Sequence, residues 1–291
     1  MKLVRYGETG AEQPGLWLDC VPEMEGPAIL NVRGMAFDIE DYNEHFFGRQ
    51  GIQSLGSLVK ESRRKLISAQ GVRLGPPVAR PSKIICLGKN YAEHAREFDS
   101  KIPESPILFS KATTSMVGPF DDIRLPAESG VVDGEVELAL VIGKRARRVR
   151  PEDAYDYIAG YTVLNDVTDR TVQRAAGQWF RGKSDDTFCP VGPFLVTPDE
   201  VGDPHALRLV SKLNGRILQN GTTADMIFKI PAILASITAT QTLLPGDIIA
   251  TGTPAGIGSV QQPPQVLKAG DLCETEVEKL GTQRCHVKAE S

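Results

Sequence analysis

The 291-residue sequence is short of histidine and cysteine, with four and five residues, and both scarcities narrow the chemistry open to it. Cys20, Cys86, Cys189, Cys273 and Cys285 are odd in number and include no Cys-x-x-Cys spacing, which argues against a disulfide framework and against a thiolate metal site. They read as reduced, structural thiols. Long apolar runs are missing as well: 138–142 and 230–234 fall far below the roughly 20 residues that cross a bilayer, so no membrane span is expected. Residues 1–15 carry charges and glycines where a signal peptide needs a basic and then an apolar stretch, and a cytoplasmic location is the expectation. Nor is there a basic patch. Lys plus Arg number 33 against 37 Asp plus Glu, a net charge of −4, with no cationic cluster interleaved with aromatics, so nucleic acid is not expected as a partner.

What the sequence has in quantity is glycine and proline, 28 and 20 residues, which predicts many turns and many short strands. The first 70 or so residues combine a hairpin-like opening (Lys2 to Tyr6, a turn, Leu16 to Cys20) with a charged, helix-prone stretch from Glu40 to Ser68. Three prolines and a glycine in the eight residues 74–81 favour an extended linker, dividing a small N-terminal domain, 1–75, from a larger one, 76–291. Beyond Ser82 come short β-branched and aliphatic runs: 84–87, 107–109, 136–142, 160–167, 194–196, 207–213, 247–251 and 273–277. Residues 151–158, 170–176 and 230–240 read as helices between them, the first opening Pro-Glu-Asp as helix starts often do. Strands and helices do not alternate strictly, so the expected class is α+β and β-rich, with a mixed or antiparallel sheet and peripheral helices.

Five segments could carry chemistry. In Gly134-Glu135-Val136-Glu137 the residues run into an apolar strand, and residues two apart on a strand face the same way. Two like charges side by side repel unless a cation sits between them, although an exposed strand end with two solvated glutamates has the same sequence. Asp166 and Asp169 close and follow the run 160–167, where an acid can complete a carboxylate triad or cap the next helix. Three oxygen ligands without Cys or paired His would suit Mg2+ or Mn2+ and disfavour zinc. His94 and Glu97 lie three apart after a glycine turn, which suits a carboxylate-oriented base for water and equally a surface pair. Lys183 enters a polar loop, where it could offset a developing oxyanion or lie in solvent. The loop 251–258 is rich in Gly and Thr, and its backbone amides could cradle an anion such as a carboxylate or form a tight turn.

These segments, in this order, resemble the fumarylacetoacetate hydrolase family: Gly88-x-Asn-Tyr-x-x-His-x-x-Glu, Glu135-x-Glu-Leu-x-x-Val-Ile-Gly, Asn165-Asp-Val-Thr-x-Arg-x-x-Gln, Gly182-Lys-Ser-x-Asp-Thr-Phe-x-Pro, Asn214-Gly-x-x-x-Gln and Thr251-Gly-Thr-Pro-x-Gly-x-Gly. The resemblance covers roughly residues 82–280 and implies a mixed β-sandwich roll as catalytic domain, usually a homodimer, with a small N-terminal domain as in bacterial members. It implies Mg2+ or Mn2+ held at Glu135, Glu137 and Asp166, water activated by His94 and Glu97, and charge stabilised by Lys183. Arg170, Gln173, Thr253 and Tyr91 match positions that meet the substrate. The implied activity is hydrolysis of a carbon–carbon bond in a β-diketo acid, of the acylpyruvate or 2,4-diketo-3-deoxy-sugar-acid type, giving pyruvate and a carboxylic acid. Oxaloacetate decarboxylation, keto-acid isomerisation or hydration, and a catalytically silent metabolite-binding protein are the alternatives. Gly134 departs from the family pattern, which often has a bulky residue before the first glutamate.

Overall fold

The computed structural model describes residues 1–97 and 101–290. Among these, an 11-stranded sheet and a five-stranded sheet account for most of the strands. The centre of the larger sheet is the antiparallel pair Val136–Ile142 and Ile158–Asn165. Both strands are buried on both faces, which suits their continuous β-branched and aliphatic content. Alternation along Val136–Ile142 divides its side chains. Val136, Leu138, Leu140 and Ile142 join one hydrophobic core, whereas Ala139 and Val141 join a second.

The first core is closed by the helix Ile230–Thr240, at the bounds expected from the sequence. Its buried residues Ile230, Ile233, Leu234, Ile237 and Thr238 recur at the three-and-four spacing of one helix face. Thr238 would be a polar intruder there, but its hydroxyl donates to Leu234 O at 2.8 Å and accepts from Val149 N at 2.9 Å. The expected helix at 151–158 is a 3-10 helix, Pro151–Tyr157, and that at 170–176 is an α-helix, Arg170–Ala175.

The N-terminal residues extend the larger sheet instead of standing apart from it. Lys2–Tyr6 pairs with Gln13–Leu18 on one edge and with Leu195–Val196 on the other. The helix-prone stretch 40–68 divides into helices Glu44–Gly48 and Gly51–Leu58 and a strand Leu66–Ser68. A left-handed Gln50 (φ 57°) separates the helices, and pairing with Ala28–Asn31 claims residues 66–68 despite their charged context. The proline-rich stretch is extended as expected but packed: Leu74–Gly75 pairs with Lys2–Tyr6, residues 74–79 are buried, and Arg5 Nη1 donates to Pro76 O at 3.2 Å.

The smaller sheet runs Arg216–Thr222, Arg208–Leu213, Leu272–Val277, Gly281–Ala289 and Ile123–Leu125. Strand Arg216–Thr222 lies at its edge and approaches the end of the larger sheet where the acidic residues gather. No helix among the described residues is long and apolar enough to cross a membrane.

Candidate active site

Strand register assembles the acidic residues. Val136 pairs with Asn165 and Glu137 with Leu164, so Glu135 and Asp166 meet at the shared end of the central pair, where Asp166 N donates to Glu135 O at 2.9 Å. Glu137, two residues beyond Glu135, shares its face. One carboxylate oxygen from each of the three lies within 4.8 Å of the others, and all three side chains are buried. Two further strands end at the same place. Ile248–Ala250 pairs antiparallel with Val136–Ile142 and runs out through Gly252, whose N–H donates to Glu137 Oε2 at 2.7 Å. Ile84–Gly88 runs parallel to it and leads into the short helix Ala92–Arg96, which carries His94. Asn90, buried in the intervening turn, donates to Thr251 O at 2.8 Å and fixes one exit against the other.

His94 Nδ1 lies 2.8 Å from Glu97 Oε2, and His94 Nε2 lies 3.9 Å from Glu135 Oε1. Three buried cations surround the acids. Lys183 Nζ donates to Glu135 Oε2 (2.8 Å), Asp166 Oδ2 (2.5 Å) and Thr168 Oγ1 (2.9 Å). Lys111 Nζ donates to Asp166 Oδ1 at 2.7 Å and to Val167 O at 3.2 Å. Arg170 bridges Asp133 Oδ1 (2.8 Å) and Glu135 Oε1 (2.5 Å) and also donates to Gln173 Oε1 at 3.2 Å.

Burial alone would push the Lys183 ammonium and the Arg170 guanidinium down, but the carboxylates against them raise both above their usual values. Burial would raise the Glu135 carboxyl, yet Arg170, Lys183 and His94 hold it well below the carboxylate range. Glu137 goes the other way: burial, then Asp166 and Glu135, push its carboxyl well up.

The ledger of buried charge tests whether a divalent cation fits. Asp133, Glu135, Glu137 and Asp166 face Lys111, Arg170 and Lys183, four negative charges against three positive. The excess bears most on Glu137, whose ionised form burial and the neighbouring Asp166 and Glu135 disfavour. A divalent ion would let Glu137 ionise and leave this group at +1, which suits an anionic keto acid. The donors are all hard carboxylate oxygens, the set that Mg2+ or Mn2+ accepts. The residues therefore fit such an ion.

A cavity of about 180 Å3 opens onto these groups. Its walls include six of the expected residues with carboxylate, imidazole or cationic chemistry or their polar neighbours: Glu135, Glu137, His94, Lys183, Arg170 and Gln173; Thr253 joins them. Asp166 is buried beneath the wall, clamped between two lysines, and Glu97 stands behind His94. Tyr91 goes elsewhere. A β-bridge to Met226 draws it into the core that contains Leu87, Leu138 and Ile230, and it does not line the cavity. Asp169 resolves as the helix cap, accepting from Thr171 N and Val172 N. The Thr253 hydroxyl is already engaged, donating to Val136 O at 2.8 Å and accepting from Gln219 Nε2 at 2.7 Å. The amides of the loop 251–258 do meet carboxylates, and the two they meet are the protein's own: Gly252 N donates to Glu137 and Gly256 N to Glu97.

Sequence reasoning missed Lys111 and Asp133, and it held Gln219 only as the last residue of the Asn214-Gly-x-x-x-Gln motif, with no role attached. Lys111 closes the apolar strand Ile107–Lys111, and a lysine at a strand end carries no signal until the register brings Asp166 to it. Asp133 stands two residues before Glu135, a parity that could have marked it.

The aromatic wall is tightly fitted. A Cβ on Gly88 would meet the Trp179 ring at 2.2 Å, and that ring packs edge-on to Phe109 with centroids 5.2 Å apart. Gly88→Ala is expected to displace Trp179 from the cavity wall. Steady-state kinetics should show KM for substrate raised by roughly tenfold, as for a loss of uniform binding, with Mg2+ affinity little changed.

Residues 83–288 match the fumarylacetoacetate (FAA) hydrolase C-terminal family. The chain is 40% identical over 290 residues to the 2,4-didehydro-3-deoxy-L-rhamnonate hydrolase of Sphingomonas sp. (strain SKA58), covering 99% of this chain and 96% of that protein. It is 39% identical over 285 residues to the mitochondrial oxaloacetate tautomerase of Xenopus laevis, covering 97% and 88%. A solved fumarylacetoacetate hydrolase from Exiguobacterium antarcticum superposes with a TM-score of 0.81 at 35% identity, over the whole of both chains. The chain belongs to the fumarylacetoacetate hydrolase family, and the strand-rich fold is that family's fold.

Proposed function

We propose that the protein is a Mg2+- or Mn2+-dependent hydrolase that cleaves a carbon–carbon bond in a β-diketo acid of the 2,4-didehydro-3-deoxy-sugar-acid or acylpyruvate type. The observation that carries this reading is the His94–Glu97 pair facing a buried three-carboxylate cluster across one cavity. The 40% identity to a sugar-acid hydrolase over almost the whole chain supports it.

Glu135, Glu137 and Asp166 would hold the ion, which when bound polarises the keto oxygens and offsets enolate charge. Glu97 keeps the proton of the imidazole on Nδ1, so that Nε2 accepts one from water. The hydroxide so formed adds to the acyl carbonyl carbon. The adjacent carbon–carbon bond then breaks, its electron pair passes to the pyruvate fragment as an enolate, and a proton returned from His94 Nε2 to the enolate carbon gives pyruvate beside the carboxylic acid. Arg170 and Gln173 orient the acid end of the substrate from the cavity wall. Lys183 holds Glu135 and Asp166 in register.

A second reading, oxaloacetate tautomerisation, is favoured by the 39% identity to a tautomerase over 97% of the chain. It uses the same base to move a proton and breaks no carbon–carbon bond. NMR product analysis with Mg2+ separates the two. The expected result is pyruvate plus a second carboxylic acid from the β-diketo acid, abolished by EDTA. Accelerated enol–keto exchange of oxaloacetate with no cleavage of the diketo acid would transfer the protein to the second reading.

A further inference from the structure

The segment 252–259 gives three backbone amides to three separate carboxylates of the site. Gly252 N donates to Glu137 Oε2 at 2.7 Å, Gly256 N to Glu97 Oε1 at 2.7 Å, and Ser259 N to Asp133 Oδ2 at 2.9 Å. One stretch of small residues therefore holds a candidate metal ligand, the partner of the base and the partner of Arg170. Ile257 anchors its far end in the interior, but between Gly252 and Gly256 the backbone has only Thr253, Pro254 and Ala255 to hold it, and an outside group fixes that part.

Gln219 is that group. It stands on Arg216–Thr222 of the smaller sheet and is fully buried. Its Oε1 accepts from Val136 N at 3.1 Å, and its Nε2 donates to Thr253 Oγ1 at 2.7 Å and to Pro254 O at 2.8 Å. Thr253 Oγ1 donates in turn to Val136 O at 2.8 Å, which closes a ring on the residue between Glu135 and Glu137. The surrounding fit leaves no clearance. A Cβ on Gly256 would meet Leu218 O at 2.3 Å, and a Cβ on Gly221 would meet Pro254 Cβ at 2.5 Å.

We propose that Gln219 is a positioning residue that governs affinity for the divalent cation. It fixes the strand between the two glutamates and seats the segment that holds Glu137 and Glu97, while touching neither cation nor substrate. The inference rests on the reading of Glu135, Glu137 and Asp166 as ligands.

The test is Mn2+ binding to the full chain by calorimetry and by electron paramagnetic resonance, for wild type, Gln219→Met and Gly221→Ala. Gly221→Ala leaves the Gln219 amide intact and pushes Pro254 from outside. Gln219→Met is expected to weaken Mn2+ binding by roughly tenfold or more, the usual consequence of losing a group that orients metal ligands. Gly221→Ala is expected to weaken it in the same direction. Both should alter the spectrum of bound Mn2+, a change that simple loss of fold stability would not give, because unfolding lowers the amount of bound ion and leaves the spectrum of each intact site as it was. Affinity within twofold of wild type and an unchanged spectrum in both variants would overturn the role of Gln219 while leaving the metal site standing. A wild-type chain that binds no Mn2+ would overturn the ligand reading and this inference with it. Should Gln219→Met fail to fold, Gln219→Asn, which keeps the amide but shortens its reach to Val136 and Thr253, takes its place in the same measurements.

Discussion

Glu135→Gln and Glu137→Gln, two residues apart on one strand face, are expected to lose Mn2+ binding alike but to differ sharply in stability when both are measured in EDTA. Glu135 takes one hydrogen bond from Arg170 (2.5 Å) and one from Lys183 (2.8 Å), all three groups being buried. Neutralising it leaves two buried cations short of a counter-charge, which typically costs about 3 kcal/mol, and thermal unfolding should fall by several degrees. Glu137 has the opposite electrostatics. Burial and the neighbouring Asp166 and Glu135 already disfavour its ionised form, and its Oε2 accepts from Gly252 N at 2.7 Å, a bond that the oxygen of glutamine reproduces. The Glu137→Gln protein should therefore unfold in EDTA at or above the wild-type temperature. Added Mn2+ should stabilise wild type and neither variant, because a ligand raises stability only through the state it binds. Scanning calorimetry with and without Mn2+ reads both quantities. Retained Mn2+ affinity in Glu137→Gln would remove that residue from the ligand set, and equal destabilisation of the two variants would show the charge ledger of the site to be wrong.

The central strand was legible because its code is local. An unbroken apolar run from Val136 to Ile142 asks for a strand buried on both faces, and parity alone puts Glu135 and Glu137 side by side. The helix Ile230–Thr240 was legible for the same reason, through a period that seats five residues on one face. The short linker between Asp166 and Asp169 was less so. Either aspartate suits a strand end or a cap, and only the register of Val136 with Asn165 gives Asp166 to the acids and leaves Asp169 to the helix. Lys111 lay beyond local reasoning altogether, and so did the role of Gln219, although the residue closes the Asn214-Gly-x-x-x-Gln motif. Each is a polar residue on an otherwise ordinary strand, and what it does depends on a partner at a large sequence separation, Asp166 for the lysine and Thr253 for the glutamine. Tyr91 runs the other way: a motif position three residues before His94 suggested a place at the substrate, whereas its one-residue bridge to Met226 packs it into the core.

Glu97→Gln is expected to reduce hydrolysis by about three orders of magnitude, the scale of losing a positioned general base, while Mn2+ affinity stays within about twofold. The argument turns on which end of the new amide faces which partner. Glu97 Oε1 accepts from Gly256 N at 2.7 Å and Oε2 faces His94 Nδ1 at 2.8 Å. A backbone N–H can only donate, so the amide oxygen of glutamine stays on Gly256 and the NH2 group turns to His94. Nδ1 must then accept, which moves the ring proton to Nε2. An imidazole protonated at Nε2 and neutral cannot take a proton from water at that nitrogen, so geometry is kept and basicity is lost where it is needed. His94→Ala should match this loss, and the double variant should be no worse than either single one, since both remove the same proton transfer. Decarboxylation of oxaloacetate needs no attacking water, so a Glu97→Gln protein that fails on the diketo acid yet still releases CO2 from oxaloacetate would assign the dyad specifically to water activation. Hydrolysis persisting within threefold of wild type in Glu97→Gln would remove His94 Nε2 from the role of base and require the attacking water to be deprotonated elsewhere in the cavity.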